Sequence, residues 1–115
     1  MTVLIVDDHP GFRESARTLL ELDGFDVVGE AADGASALEL ARELEPELVL
    51  LDVGLPDRSG LDVAEDLVKT SKVVLISSRG RVDFGRRVRR SGALGFLSKD
   101  HLSGGALREL LEGTA

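Results

Sequence analysis

Acidic and hydroxyl residues follow a series of short apolar runs. Val3-Leu4-Ile5-Val6 leads into Asp7-Asp8, Leu48-Val49-Leu50-Leu51 into Asp52, and Val73-Val74-Leu75-Ile76 into Ser77-Ser78. The shorter Gly95-Phe96-Leu97 leads into Ser98-Lys99. If these runs are parallel strands of one open sheet, their carboxyl ends share the edge where ligands bind. Three carboxylates, a hydroxyl and an ammonium then meet there. Three packed carboxylates cannot all stay ionised without a cation, because like charges raise one another's pKa. All-oxygen donors suit a hard ion, Mg²⁺ above all. One carboxylate could attack phosphorus while the metal and Lys99 neutralise the transferring group. Ser77 could donate a hydrogen bond to the phosphate formed. Taken singly, an Asp after a strand caps a turn and a lone Lys is solvated. The coincidence at four run ends is what points to a site.

The intervening segments must be helices. Phe12, Ala16, Leu19 and Leu20 share one face of a helix that starts near Pro10, where a missing N–H is harmless, and ends at Gly24. Ala37, Leu40, Ala41 and Leu44 form a second stripe, with Asp33 as N-cap and Pro46 as stop. Ala64, Leu67 and Val68 mark a short third helix, and Leu107, Leu110 and Leu111 the last. Between Val82 and Ser91 the pattern is weakest, since Gly85 interrupts it at about 1 kcal/mol. Continuous Val, Ile and Leu runs are expected of strands buried on both faces. Phe25 to Val28 and Gly95 to Leu97 are weaker strands. Strand and helix alternate five times, which predicts a parallel sheet with helices on both sides.

The chain has 115 residues, enough for one domain with a complete core. With no Cys, disulfides, thiolate metal sites and cysteine nucleophiles are excluded. No stretch approaches the roughly 20 apolar residues of a membrane span. The start lacks a basic segment and turns acidic at Asp7, unlike a signal peptide; a cytoplasmic location is the expectation. The last helix runs out near Ala115, so a single domain over residues 1–115 is expected. A net charge of −7 repels a phosphate backbone and argues against direct nucleic-acid binding.

The motifs Val3-Leu4-Ile5-Val6-Asp7-Asp8-His9, Val49-Leu50-Leu51-Asp52-Val53-Gly54-Leu55-Pro56-Asp57-Arg58-Ser59-Gly60, Val74-Leu75-Ile76-Ser77-Ser78 and Gly95-Phe96-Leu97-Ser98-Lys99-Asp100 are together highly specific. Through them the whole chain resembles the receiver domains of two-component response regulators. The likeness is greatest to receivers that precede a helix-turn-helix in transcription factors. It implies a flavodoxin-like α/β sandwich with a five-stranded parallel sheet of order 2-1-3-4-5 and five helices. It implies a phosphorelay switch rather than a turnover enzyme, with a sensor histidine kinase as partner and Asp52 as phosphoacceptor. Asp8, Asp52 and the Gly54 carbonyl would ligate Mg²⁺, with Asp7 acting through water. Ser77, Ser78 and Lys99 would hold the phosphoryl group, and Ser77 and Phe96 would form the switch. Departures from the family pattern are the bare Gly54, a hydroxyl at Ser78 where Ala is usual, a short Asp52–Ser77 interval, and an Arg-rich fourth helix.

Other chemistries fit less well. A phosphatase with an Asp nucleophile favours Asp-x-Asp after the strand, and here Asp52-Val53-Gly54 lacks the second acid. A flavin module needs stacking aromatics, and there is no Trp or Tyr. A degenerate receiver would have lost Asp8, Asp52 or Lys99. His9 and His101 are expected at the surface. Gly11, Gly34 and Gly60 are expected at loops and helix starts, with no phosphate cradle among them. The run from Arg79 to Arg90 holds six Arg and one Asp, and the rest of the chain carries eight basic and twenty acidic residues, net −12. Arg86, Arg87, Arg89 and Arg90 are therefore expected to form a partner surface, for a second receiver, an output domain or a target protein.

Overall fold

In a computed structural model that describes residues 1–78 and 85–112, strands and helices alternate along the chain. They run β1 (Thr2–Val6), α1 (Pro10–Leu22), β2 (Asp26–Ala31), α2 (Gly34–Leu44), β3 (Leu48–Asp52), α3 (Gly60–Leu67), β4 (Lys72–Ser77), α4 (Gly85–Ser91), β5 (Gly95–Ser98) and α5 (Gly104–Glu112). A single 3₁₀ turn, Lys99–His101, separates β5 from α5. All strand pairs are parallel, in the order β2-β1-β3-β4-β5. This is the expected flavodoxin-like fold.

The sheet divides the core. On one face α2, α3 and α4 pack over Leu4, Val6, Val49, Leu51, Val73 and Leu75. On the other, α1 and α5 cover Val3, Ile5, Leu48, Leu50, Val74 and Ile76. Adjacent residues of β1, β3 and β4 thus point to opposite faces and both are buried. That is why these strands are unbroken apolar runs rather than alternating ones.

Helix ends follow local chemistry. Asp33 caps α2 by accepting from the Ser36 N–H at 2.7 Å, and Ser59 caps α3 by accepting from the Leu61 N–H at 3.2 Å. Gly24 follows α1 with φ 93°, a left-handed conformation that an L side chain resists. Helix α2 stops at Leu44, two residues before Pro46, because Glu45 turns left-handed with φ 48°. The second strand differs from its expected span: it begins at Asp26 and extends to Ala31. Gly29 and Glu30 pair with Leu4 and Ile5 despite lacking apolar side chains, since an edge strand needs cover on fewer sides. Of the uncertain fourth segment, Gly85–Ser91 is helical and Val88 is buried; Val82 and Phe84 lie outside the described residues.

Candidate functional site

Strand register delivers the acids together. Val6 of β1 pairs with Ala31 and Leu51, so Asp7 and Asp52 leave neighbouring strands at the same level. Asp7 is fully buried and Asp52 nearly so. One oxygen or nitrogen each from Asp7, Asp8, His9 and Asp52 falls within a 4.8 Å cluster. Lys99, at the start of the 3₁₀ turn, reaches back over this cluster. Its Nζ lies 2.6 Å from Asp7 Oδ2 and 3.4 Å from Asp52 Oδ2. The same ammonium sits 4.7 Å from the centre of the Phe12 ring, an attraction to the ring's negative face. Asp7 just after β1, Phe12 of α1, Asp52 of β3 and Lys99 just after β5 are thereby joined at one charge.

The backbone is held as firmly. Arg13 Nη1 donates to the Asp7 carbonyl at 2.6 Å. Arg13 and Arg17 both donate to Glu30, at 3.0 and 2.8 Å. Beneath Asp52 lies Gly60, where a Cβ would stand 2.1 Å from the Asp52 carbonyl oxygen; only glycine admits this approach. The Gly54 N–H donates to Asp52 Oδ1 at 2.9 Å, and a side chain at Gly54 would begin 3.7 Å from that oxygen. Asp52 is therefore open from the Gly54 side. The β3–α3 loop is pinned by Asp57, whose two oxygens accept from the Gly34 and Ala35 N–H groups at 2.8 and 3.0 Å.

The charges interact as the spacing requires. Burial raises the Asp52 pKa and the Asp7 charge adds to this, against the Gly54 N–H and Lys99, which lower it. Burial works against the Lys99 ammonium, but the hydrogen bond to Asp7 and the charges of Asp52 and Asp7 outweigh it and raise its pKa. Two buried oxygens, Asp7 Oδ2 and Asp8 Oδ1, have accepting capacity left over: beyond Lys99 Nζ at 2.6 Å from the first and His9 Nδ1 at 3.2 Å from the second, neither meets a donor among the described residues. Oxygen donors left in this condition beside a raised carboxylate suit a hard divalent cation. The residues present fit Mg²⁺.

The other expected residues are placed as follows. Ser77 is buried at the end of β4, one residue beyond Ile76, the partner of Asp52. Ser78 is exposed. Phe96 pairs with Leu75 and packs against the α2–α3–α4 core. Arg86, Arg87, Arg89 and Arg90 are exposed on α4, while Arg79 and Arg81 lie outside the described residues. His101 is exposed, with Nδ1 2.7 Å from Ser98 Oγ. The His9 side chain is also largely exposed, yet its Nδ1 lies 3.1 and 3.2 Å from the acid pair. Sequence inspection missed Phe12, Glu30 and Asp57. Phe12 reads as core, and Glu30 and Asp57 read as surface acids; no periodicity marks their partners.

The response regulator receiver domain family matches residues 3–112. The BvgA positive transcription regulator of virulence factors from Bordetella pertussis is 42% identical over 100 residues, 84% of this chain and 48% of that protein. The nitrate/nitrite response regulator protein NarP of Escherichia coli is 41% identical over 102 residues, 85% of this chain and 47% of that protein. The chain thus spans about half the length of the curated relatives it matches. Among solved structures, the signal receiver domain of NarL from Mycobacterium tuberculosis is 37% identical with a TM-score of 0.86, covering 97% of this chain and 94% of that one. No helix among the described residues is long and apolar enough to cross a membrane. Family, sheet order and acidic edge agree, and the chain belongs to the receiver domains of two-component response regulators.

Proposed function

We propose that this receiver accepts a phosphoryl group from a sensor histidine kinase onto Asp52 and thereby controls an output, transcription by analogy with its relatives. The observation that carries the proposal is the Lys99 ammonium bridging Asp7 and Asp52 at the centre of a buried cluster of carboxylate oxygens from Asp7, Asp8 and Asp52. In the step, an Asp52 carboxylate oxygen forms a bond to phosphorus. The bond from phosphorus to the kinase imidazole nitrogen breaks, and its electron pair leaves with that nitrogen. Asp8, Asp52 and the Gly54 carbonyl would hold Mg²⁺, with Asp7 acting through water, and the ion would supply charge neutralisation at the transferring group. Lys99 is already beside Asp52 and exchanges part of its pairing for a phosphoryl oxygen. The Ser77 hydroxyl donates to another oxygen, with Ser78 nearer solvent. Added charge of about −1.5 to −2 draws Ser77 toward the phosphoryl group and biases the Phe96 ring, the switch that reshapes the surface from α4 to α5. The protein's role is that of an acceptor, cytoplasmic like its kinase's catalytic part.

The test is intact-mass analysis after treatment with acetyl phosphate and MgCl₂. Wild type gains one phosphoryl mass, lost when EDTA replaces MgCl₂, and Asp52→Asn gains none. Equal phosphate on both proteins refutes the assignment.

A further inference from the structure

Ion pairing in this protein is unevenly distributed. Arg13, Arg17, Arg58, Lys69, Lys99 and Arg108 each lie beside a carboxylate. Apart from Arg42 and Lys72, the described basic side chains outside any ion pair are gathered on helix α4: its four arginines are exposed, and no ion pair joins any of them to another described residue. At about 100° per residue, Arg86, Arg89 and Arg90 stand at i, i+3 and i+4. They form a tight triangle on the side away from buried Val88. Neighbours at these spacings are about 5–6 Å apart at Cβ, so like charges repel.

Helix α3 carries the same triangle with the opposite sign. Asp62, Glu65 and Asp66, again i, i+3 and i+4, are all exposed, while Val63, Ala64 and Leu67 face the core. Among the described residues their one ion pair is to Lys69, 3.9 Å from Asp66. Helices α3 and α4 pack side by side on the same face of the sheet. The two triangles therefore belong to one continuous surface, and they do not neutralise each other within the chain.

Such a surface is complementary to itself. A two-fold axis between the helices sets α3 of one copy on α4 of the other, and the reverse contact forms at the same time. We propose that this chain self-associates through its α3–α4 face, with Asp62, Glu65 and Asp66 of one copy gripping Arg86, Arg89 and Arg90 of the other. Both triangles lose their self-repulsion, and guanidinium groups grip carboxylates through paired hydrogen bonds. Nucleic acid is the less suited occupant, because the acidic triangle next to α4 and the net charge of −7 repel phosphates. The association is independent of phosphotransfer at Asp52, so failure of either proposal leaves the other standing.

Sedimentation velocity of the full chain over a concentration series at low salt tests this. Wild type is expected to dimerise, and added salt to weaken the dimer as the screening length contracts to about 10 Å near 0.1 M. The double reversals Arg86→Glu/Arg90→Glu and Asp62→Arg/Asp66→Arg should each weaken the homodimer by roughly tenfold or more. Their equimolar mixture should restore it as a heterodimer, because both contacts are again of opposite sign. Circular dichroism checks that each variant is folded. A wild type that stays monomeric across the series overturns the proposal. So does loss of the dimer in the Arg variant alone, or a mixture that fails to restore it. Binding of a DNA duplex by wild type, lost in the Arg variant, would assign α4 to nucleic acid instead.

Discussion

Replacing Lys99 by Met keeps most of the side-chain volume and removes the charge that joins Asp7 to Asp52. Two unit charges 3.4 Å apart, the Lys99–Asp52 separation, interact by about 5 kcal/mol at an effective dielectric of about 20. Carboxylate oxygens of the acidic cluster lie within 4.8 Å of one another, so two such charges repel by about 3.5 kcal/mol or more on the same basis. Lys99 therefore offsets repulsion of the size it would otherwise leave behind. Desolvation of the ammonium reduces the net figure, and breaking a buried pair by removing one partner costs about 3–5 kcal/mol. The lower end applies, because Asp52 can relieve the strain by taking a proton. A loss of about 3 kcal/mol corresponds to a fall in Tm of about 12 °C for a domain near 100 residues. The pH dependence has a definite sign. A carboxylate whose pKa is raised above its ordinary 3.8 holds its proton more tightly folded than unfolded. Its destabilising effect is absent at low pH and develops as pH rises through the folded pKa. Loss of Lys99 raises that pKa further, so the gap between wild type and Lys99→Met should widen as pH rises above 3.8. Mg²⁺ binds only the folded cluster and stabilises it by about 2.7 kcal/mol at a hundredfold excess over Kd. It should rescue Lys99→Met more than wild type, since the competing cation is gone. The chain has no Trp or Tyr, so urea unfolding in EDTA and in MgCl₂ is best followed by far-ultraviolet circular dichroism. A loss under about 1 kcal/mol with a flat pH profile would refute the idea that Lys99 couples the acids.

Two other perturbations probe the supports of the site. Gly60→Ala sets a methyl group 2.1 Å from the Asp52 carbonyl and 2.7 Å from Val53 Cα; because both are backbone, about 3 kcal/mol or more should be lost, and an unchanged urea midpoint would contradict the close approach. Glu30→Gln weakens the two arginine bonds, of which Arg17's chiefly lowers the Glu30 pKa. Its stabilisation is present above the ordinary 4.5 and is lost as pH falls through the lower folded value. The difference from wild type should stay under about 1 kcal/mol and vanish in acid, as equilibrium unfolding at stepped pH would show.

The central strands were legible in the sequence because burial on both faces leaves an unbroken apolar signature, as in Leu48–Leu51. Asp7, Asp52 and Lys99 were legible for a related reason: each stands at or just past the end of such a run. The edge strand β2 was read short because its last residues are Gly29, Glu30 and Ala31, and Glu30 is stabilised by arginines thirteen and seventeen positions away. Likewise, Asp57 holds an N-terminus twenty-three residues earlier. Contacts of this kind depend on how helices dock, and local spacing carries no trace of them. The left-handed Glu45 that ends α2 ahead of Pro46 belongs to the same class.

The two borders of the sheet have a further consequence. An exposed strand edge is a template on which another chain can add a strand, and proteins blunt such edges by shortness, irregularity or charge. Strand β5 is four residues long. On the opposite border, the pairing of β1 with β2 slips by one residue between Val3 and Leu4, and Glu30 with its arginines crowds the end of β2. Neither border offers a long, flat ladder. Copies of this chain are thus steered away from open-ended sheet polymerisation, and the association proposed for the α3–α4 face would fall to helix surfaces, where contact closes after two partners.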